Sequence, residues 1–168
     1  MIMYKQFRQK DGKLYPLFVL ADEETPVGVW LAAKEGPRNE KGKVKSKLGG
    51  LAYRPGWHLS EIPYAPHIGL KDEATGRIAY MHPNTVWAEC EVFDGHDYTK
   101  EAAKKNARDS YLRHLPHDGY YYYNTNPQMV GRWVIADKIK VRRVLTDAET
   151  DAICMKMMGI HAQPRKIA

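Results

Sequence analysis

Between Tyr53 and Gly69 the chain sets Arg54, Trp57, His58, Ser60, Tyr64 and His67 among three prolines and two glycines. Pro and Gly punctuate a backbone and hold it in fixed turns, and loops so held are where binding and catalytic side chains collect. His58 and Ser60 are two apart, so on a strand an imidazole and a hydroxyl point to one side. Such a pair either takes part in catalysis or holds a phosphate or a ribose hydroxyl. Ser60 lacks the GxSxG surround of a nucleophile elbow.

Two more clusters belong to the same inventory. Glu89 and Glu91 fall on one face of the alternating run Thr85–Phe93, and read either as a solvated strand face or as paired carboxylates. Tyr120 to Tyr123 form an unbroken aromatic run whose alternate members point opposite ways. One pair supports a core while the other lines a cleft, and Tyr121 and Tyr123 are the candidates for ligand contact. Of the seven histidines, His114 and His117 and then His58 and His67 have spacings worth testing for a metal. No HExxH, Cys pair or Asp cluster accompanies them, so no metal is expected. Cys90 and Cys154 make neither a disulfide framework nor a CxxC hook. There is no P-loop and no GxGxxG after a strand, so a nucleotide here would be held by Arg, His, Ser and aromatic stacking.

A chain of 168 residues, 43% hydrophobic and 27% charged, suits one globular domain over residues 1–160 with a basic tail at 161–168. The elements that must position the candidates are set by periodicity. Asp11-Gly12 turns one strand into a second over Leu14–Leu20, with Pro16 marking an edge or bulge. Val27–Ala33 is apolar throughout and predicts a buried strand. Residues 34–50 read as a flexible basic loop, either a lid over the site or a plain insertion. Ile68-Gly69-Leu70 and Ile78-Ala79-Tyr80 predict a hairpin, and Thr85–Phe93 a strand with Val86, Ala88, Cys90 and Val92 inward.

Further along, Ala103, Ala107, Tyr111 and Leu115 predict a helix from Lys100 to Leu115. Strands come next at Tyr120–Tyr123, Arg132–Ile135 and Ile139–Leu145. Thr146-Asp147-Ala148-Glu149 is a capping box opening a helix whose apolar stripe is Ala152, Ile153, Met157 and Ile160. The sum is an α+β domain of about eight short, mainly antiparallel strands with two helices.

The balance of 26 Lys and Arg against 20 Asp and Glu, formally +6, favours anionic partners. Lys41, Lys43, Lys45 and Lys47 concentrate part of it, as a solvated loop or as a contact for nucleic acid or a host protein. Nothing approaches the apolar length of a membrane span or a signal peptide, so a reduced, cytoplasmic setting is the expectation.

Gly56-Trp57-His58-Leu59-Ser60 with Ala65, the strand Val86–Val92, Asp118–Tyr123 and the strand pair Trp133–Leu145 together resemble domains of large multidomain proteins in phages and conjugative elements. The order of parts is more distantly similar to the ADP-ribosyltransferase fold. That resemblance implies NAD as substrate, Ser60 holding ribose on the second strand, Tyr64 facing nicotinamide, and a glutamate on a late strand. Gly131-Arg132-Trp133 offers Arg132 where the acid belongs, which leaves Glu89 or Glu91 to supply it. A cation there would oppose the developing oxocarbenium charge. The resemblance thus implies a nucleotide-binding cleft of Arg54, Trp57, His58, Ser60, Tyr64 and His67, with or without transferase activity. The alternative is a small basic binding module.

Overall fold

In the computed structural model, residues 1–46, 49–51, 53–68, 70–71, 78–79, 84–105 and 110–159 are described. The first strand, β1 (Ile2–Lys10), turns at Asp11-Gly12 into β2 (Lys13–Tyr15). Then come β3 (Trp30–Ala32), the hairpin β4 (Val44–Ser46) and β5 (Gly49–Leu51), and β6 (Trp57–Ser60). The short pair β7 (Leu70–Lys71) and β8 (Ile78–Ala79) leads to β9 (Thr85–Val92) and β10 (His96–Asp97). Helix α1 (Thr99–Lys105), β11 (Gly119–Tyr123), β12 (Trp133–Ala136), β13 (Lys138–Val144) and helix α2 (Asp147–Met158) complete the order. The main sheet runs β10-β11-β12-β6-β1-β9-β13-β3, with β2 beside β1. Apart from the β10–β11 pair its ladders are antiparallel, so the fold is α+β as the sequence implies.

One residue decides the shape of this sheet. β12 and β13 are separated in the chain by Asp137 alone, yet β6, β1 and β9 lie between them in the sheet. A single residue spans at most about 3.5 Å. The sheet therefore curls until its third and seventh strands meet, as strands do in a small barrel. Asp137 fixes the corner: its Oδ2 accepts from the Asp118 amide at 2.9 Å and its carbonyl from the Ala33 amide at 2.6 Å. Met3, Phe7, Leu59, Cys90, Val134 and Val141 fill the inner face. Trp87, Tyr121, Trp133, Ile135 and Leu145 build a second cluster on the outer face with Ala65, Ala102 and Leu112.

Several elements differ from what the sequence implies. The strand expected over Leu14–Leu20 stops at Tyr15, because Pro16 withdraws a donor and Leu20 takes a positive φ of 51°. The run Val27–Ala33 is not a buried strand: only Trp30–Ala32 pairs, at the sheet edge on β13, and Val27, Val29 and Trp30 are exposed. Lys140 lies 4.9 Å over the Trp30 ring, and Lys138 5.2 Å over Phe93. A cation thus stands over Trp30, which the pattern assigned to a core, and another over Phe93 beside it.

The expected loop at 34–50 carries the β4–β5 hairpin and a turn in which Asn39 Oδ1 accepts from the amides of Lys41 and Lys43, each at 3.0 Å. Of the helix expected to Leu115 the described residues carry Thr99–Lys105, whereas Ser110 to Leu115 are non-helical and Ser110 has φ 49°. Ala107 lies outside the described residues, as do Lys47, Tyr80, Ile160 and the 161–168 tail. On α2 the capping box forms as read, with Thr146 Oγ1 accepting from Glu149 N at 3.1 Å. The buried positions are Thr150 and Cys154, while Ala152 and Met157 are exposed. The wide Met face misled the pattern: a small polar residue and a thiol fit closer to the sheet than long thioethers. Among the described residues no helix is long and apolar enough to cross a membrane.

Gly56, which leads the chain into β6, has φ +136°, and a Cβ there would overlap the Ile135 Cγ2 methyl and crowd the Ala136 carbonyl at 3.1 Å. Gly56→Ala is expected to destabilise the fold by roughly 2 to 4 kcal/mol, from backbone strain plus overlap. A urea midpoint equal to that of the parent protein would refute this.

Candidate functional site

β1 and β6 are neighbours that barely pair. β9 follows β1 over seven residue pairs, whereas β6 meets it only at Tyr4–Ser60. Beyond that pair the two strands part, and a cavity of about 770 Å³ occupies the opening. Its walls come from both faces of the sheet, with Lys5 and Trp57 from the inner phase and Gln6, His58, Trp87 and Trp133 from the outer. The segments 16–20 and 31–35 cover it, and Trp57 Nε1 donates to the Leu31 carbonyl at 3.1 Å to tie wall to cover. Val44 and Leu51 of the β4–β5 hairpin close another side. A volume of this size falls within the range of sites for drug-sized ligands.

The structure brings Arg54, Trp57, His58, His67 and Tyr123 to this cavity. Arg54 Nη1 donates to Thr125 Oγ1 at 2.7 Å, and its guanidinium lies 5.7 Å over the Tyr111 ring. Arg54 Nε and His67 Nδ1 are buried and have no hydrogen-bond partner. No ion pair to Arg54 occurs among the described residues. Burial, and then the Arg54 charge, push His67 down to about 4, so at neutral pH its ring is uncharged. It meets Trp133 edge-on at 4.8 Å.

His58 is fully engaged by the protein. Its Nε2 sits 2.9 Å from the Arg54 carbonyl, which can only accept, so the proton is on Nε2 and Nδ1 accepts from Tyr123 Oη at 3.1 Å. Burial pushes its pKa down to about 3, with the Lys5 and Arg54 charges acting the same way. The Tyr123 phenol is shifted upward by burial. His58 thus stays neutral and orients Tyr123 and the Arg54 backbone, leaving no ring nitrogen free for proton transfer or a metal.

The remaining candidates lie elsewhere. Ser60 shares the His58 face but is buried outside the cavity lining, and its Oγ accepts from the Ile62 amide at 3.2 Å. Tyr64 packs with Ile62 and Cys154 where α2 meets the loop, and Cys154 Sγ donates to the Pro63 carbonyl. Tyr121 Oη accepts from the Leu112 amide at 3.2 Å, and burial raises its pKa to about 12. Glu91 pairs with Lys140 at 3.2 Å, and Glu89 with Arg143 at 3.4 Å and Arg142 at 3.9 Å. Both arginines reach Glu89 because a register shift falls between Val141 and Arg143. The carboxylate face is therefore an ion-pair ladder, not part of the cavity. Lys41, Lys43 and Lys45 are exposed on the hairpin side.

Arg132, which stands where the transferase resemblance wants an acid, is held by Glu61 through Nε at 3.0 Å and its amide at 2.8 Å. Lys5 escaped the sequence reading, and it lines the cavity from inside the sheet. Its signal was present, because Met3, Lys5 and Phe7 share one phase of β1 and the outer two are core residues. Among the described residues no three His, Cys, Asp or Glu side chains gather as a metal set. Compared with known protein families, curated proteins and solved structures, the chain matches none.

The neutral histidines set the acid behaviour. In the unfolded chain His58 and His67 take up protons near their ordinary pKa of 6.5, while the folded protein resists until about 3 and about 4. Protonation therefore pulls toward the unfolded chain as pH falls below 6.5, and stability drops across that window. Denaturant midpoints measured from about pH 7 down to about pH 4.5 are expected to fall less steeply in His67→Phe than in the parent. Equal slopes would remove His67 as a contributor. Separately, Tyr123→Phe strips the donor from His58 Nδ1 and is expected to cost about 1 to 3 kcal/mol of stability, read from the same titrations.

Proposed function

We propose that the protein binds a small anionic ligand with an aromatic ring, of the nucleotide class, in the opening between β1 and β6. The observation that carries this is Arg54: a guanidinium on the cavity wall with a buried, unpartnered Nε and no carboxylate counterion among the described residues. A buried donor without a partner is costly, and a ligand phosphate or carboxylate would satisfy it. His67 Nδ1, likewise buried without a partner, adds a second polar contact on that side. Trp57, Trp133 and Tyr123 offer faces and edges on which a base or nicotinamide ring stacks.

In this reading the ligand is bound and not consumed by ADP-ribosyl transfer. The acids that the resemblance offered are engaged elsewhere: Glu89 and Glu91 are tied to Arg142, Arg143 and Lys140, and Arg132 is tied to Glu61. Of the glutamates that do line the cavity, Glu23, Glu24 and Glu35, the first two are paired with Lys34 and Lys13. The buried Val44 turns its hairpin toward the cavity. That favours a wall for a ligand over an arm for nucleic acid, although Lys41, Lys43 and Lys45 lie exposed beside it.

Isothermal titration with AMP, ADP-ribose and NAD tests the proposal. At least one is expected to bind, with Arg54→Gln weakening it about tenfold or more, the worth of a charge-assisted hydrogen bond. NAD is expected to release no nicotinamide. Absence of heat from all three at millimolar ligand, or binding unchanged in Arg54→Gln, rejects the reading.

A further inference from the structure

Lys5 has a place that the nucleotide reading does not use. Its side chain starts from the inner phase of β1 and ends in the gap where β6 has left the ladder, with Nζ 3.1 Å from the His58 carbonyl. The ammonium lies 5.5 Å from the Phe7 ring centre and 5.7 Å from that of Trp57. No carboxylate pairs with it among the described residues. Its exposure is to the cavity it lines. We propose that Lys5 Nζ is a nucleophile that captures an aldehyde or ketone entering this cavity, holding it as a reversible imine.

The chemistry is self-contained. The amine lone pair forms the N–C bond while the carbonyl oxygen takes the π electrons and a proton, giving a carbinolamine. That oxygen then leaves as water, the nitrogen gives up its remaining proton, and C=N results. Water reverses both steps, and no oxidant or reductant enters. An ordinary lysine is a poor nucleophile near neutrality because it is almost wholly protonated. Here burial pushes the amine down to about 8. The titratable groups facing it do not restore the proton: Cys90 of β9 is held up at about 12 by burial, and His58 of β6 is neutral. Only one hydrogen bond, to a backbone carbonyl, has to be given up for Nζ to reach a ligand.

Capture at Lys5 needs the cavity and the amine but not an anion at Arg54, and the test separates the two. The folded full chain is treated with equimolar pyridoxal at about pH 7.5, reduced with borohydride and mapped by mass spectrometry. A reduced adduct on Lys5 blocks tryptic cleavage there and appears in the peptide running from Met1 to Arg8. Label on Lys5 is expected to exceed that on exposed lysines such as Lys41 and Lys43 by about tenfold, with fragment ions placing it at residue 5 and not on the Met1 amine, and none is expected at residue 5 in Lys5→Met. Label spread over the exposed lysines with no excess at Lys5 overturns the proposal. Because the decision is made on the parent protein, a poorly folding Lys5→Met leaves the test intact. Repeating it with pyridoxal 5′-phosphate reports on Arg54 separately: a gain over pyridoxal that Arg54→Gln abolishes supports the anion site. Equal labelling by the two probes counts against that site alone.

Discussion

The link through Asp137 is the constraint on which the rest of the architecture depends. A chain that leaves β12 and enters β13 one residue later cannot serve the third and seventh places of a flat sheet. Curling brings the ends together and creates an inner face that apolar residues from β1, β6, β9, β12 and β13 fill. β9 follows β1 along its length on one edge, while β6, paired over four residues with β12, touches the other edge of β1 at one pair and then departs. The cavity occupies the space between them. Its polarity is a consequence too, since the backbone groups that the missing ladder would have satisfied attract side chains instead, Lys5 Nζ on the His58 carbonyl among them.

The parts of the fold legible in the sequence are those in which local periodicity and tertiary role agree. β9 alternates because one of its faces is core, with Ala88 and Cys90 wholly buried. The four tyrosines alternate as a strand requires, Tyr121 and Tyr123 buried in the outer cluster and Tyr120 and Tyr122 packed against the inner one. The capping box is a contact between residues three apart and needs no distant partner. Where the sequence misleads, a long-range fact overrides the local one. Val27–Ala33 is as apolar as a central strand but lies at an edge, with Lys140 of the neighbouring strand over its Trp30 ring, which no window of seven residues contains. The expected helix does not include Ser110 to Leu115 although Tyr111 and Leu115 keep its period, and Leu112 is instead buried in the outer cluster.

The site was legible to a similar degree and for a similar reason. The density of Arg, His and Trp between Pro and Gly singles out a stretch whose Arg54, Trp57, His58 and His67 meet at one cavity. Roles are harder to read than places. The two-residue rule that pairs Ser60 with His58 is correct about direction, but the loop after β6 folds back and its Ile62 amide engages the hydroxyl. Glu89 and Glu91 share a face, yet which cations stand opposite depends on β13 and on a bulge within it. His58 looks like a base because histidine often is one. Only coordinates reveal that a carbonyl and a phenol occupy both of its nitrogens.

The sheet's outer margin has a meaning of its own. An unpaired strand edge with bare aromatic rings beside it invites another chain to add on, and from there to stack. β3 has only three residues, and the ammonium groups of Lys138 and Lys140 hover over Phe93 and Trp30. A stranger approaching that margin would have to strip water from two ion pairs, Lys138 with Asp118 and Lys140 with Glu91, before touching a ring. Brevity and charge together act as a fender against the addition of a further strand at this margin.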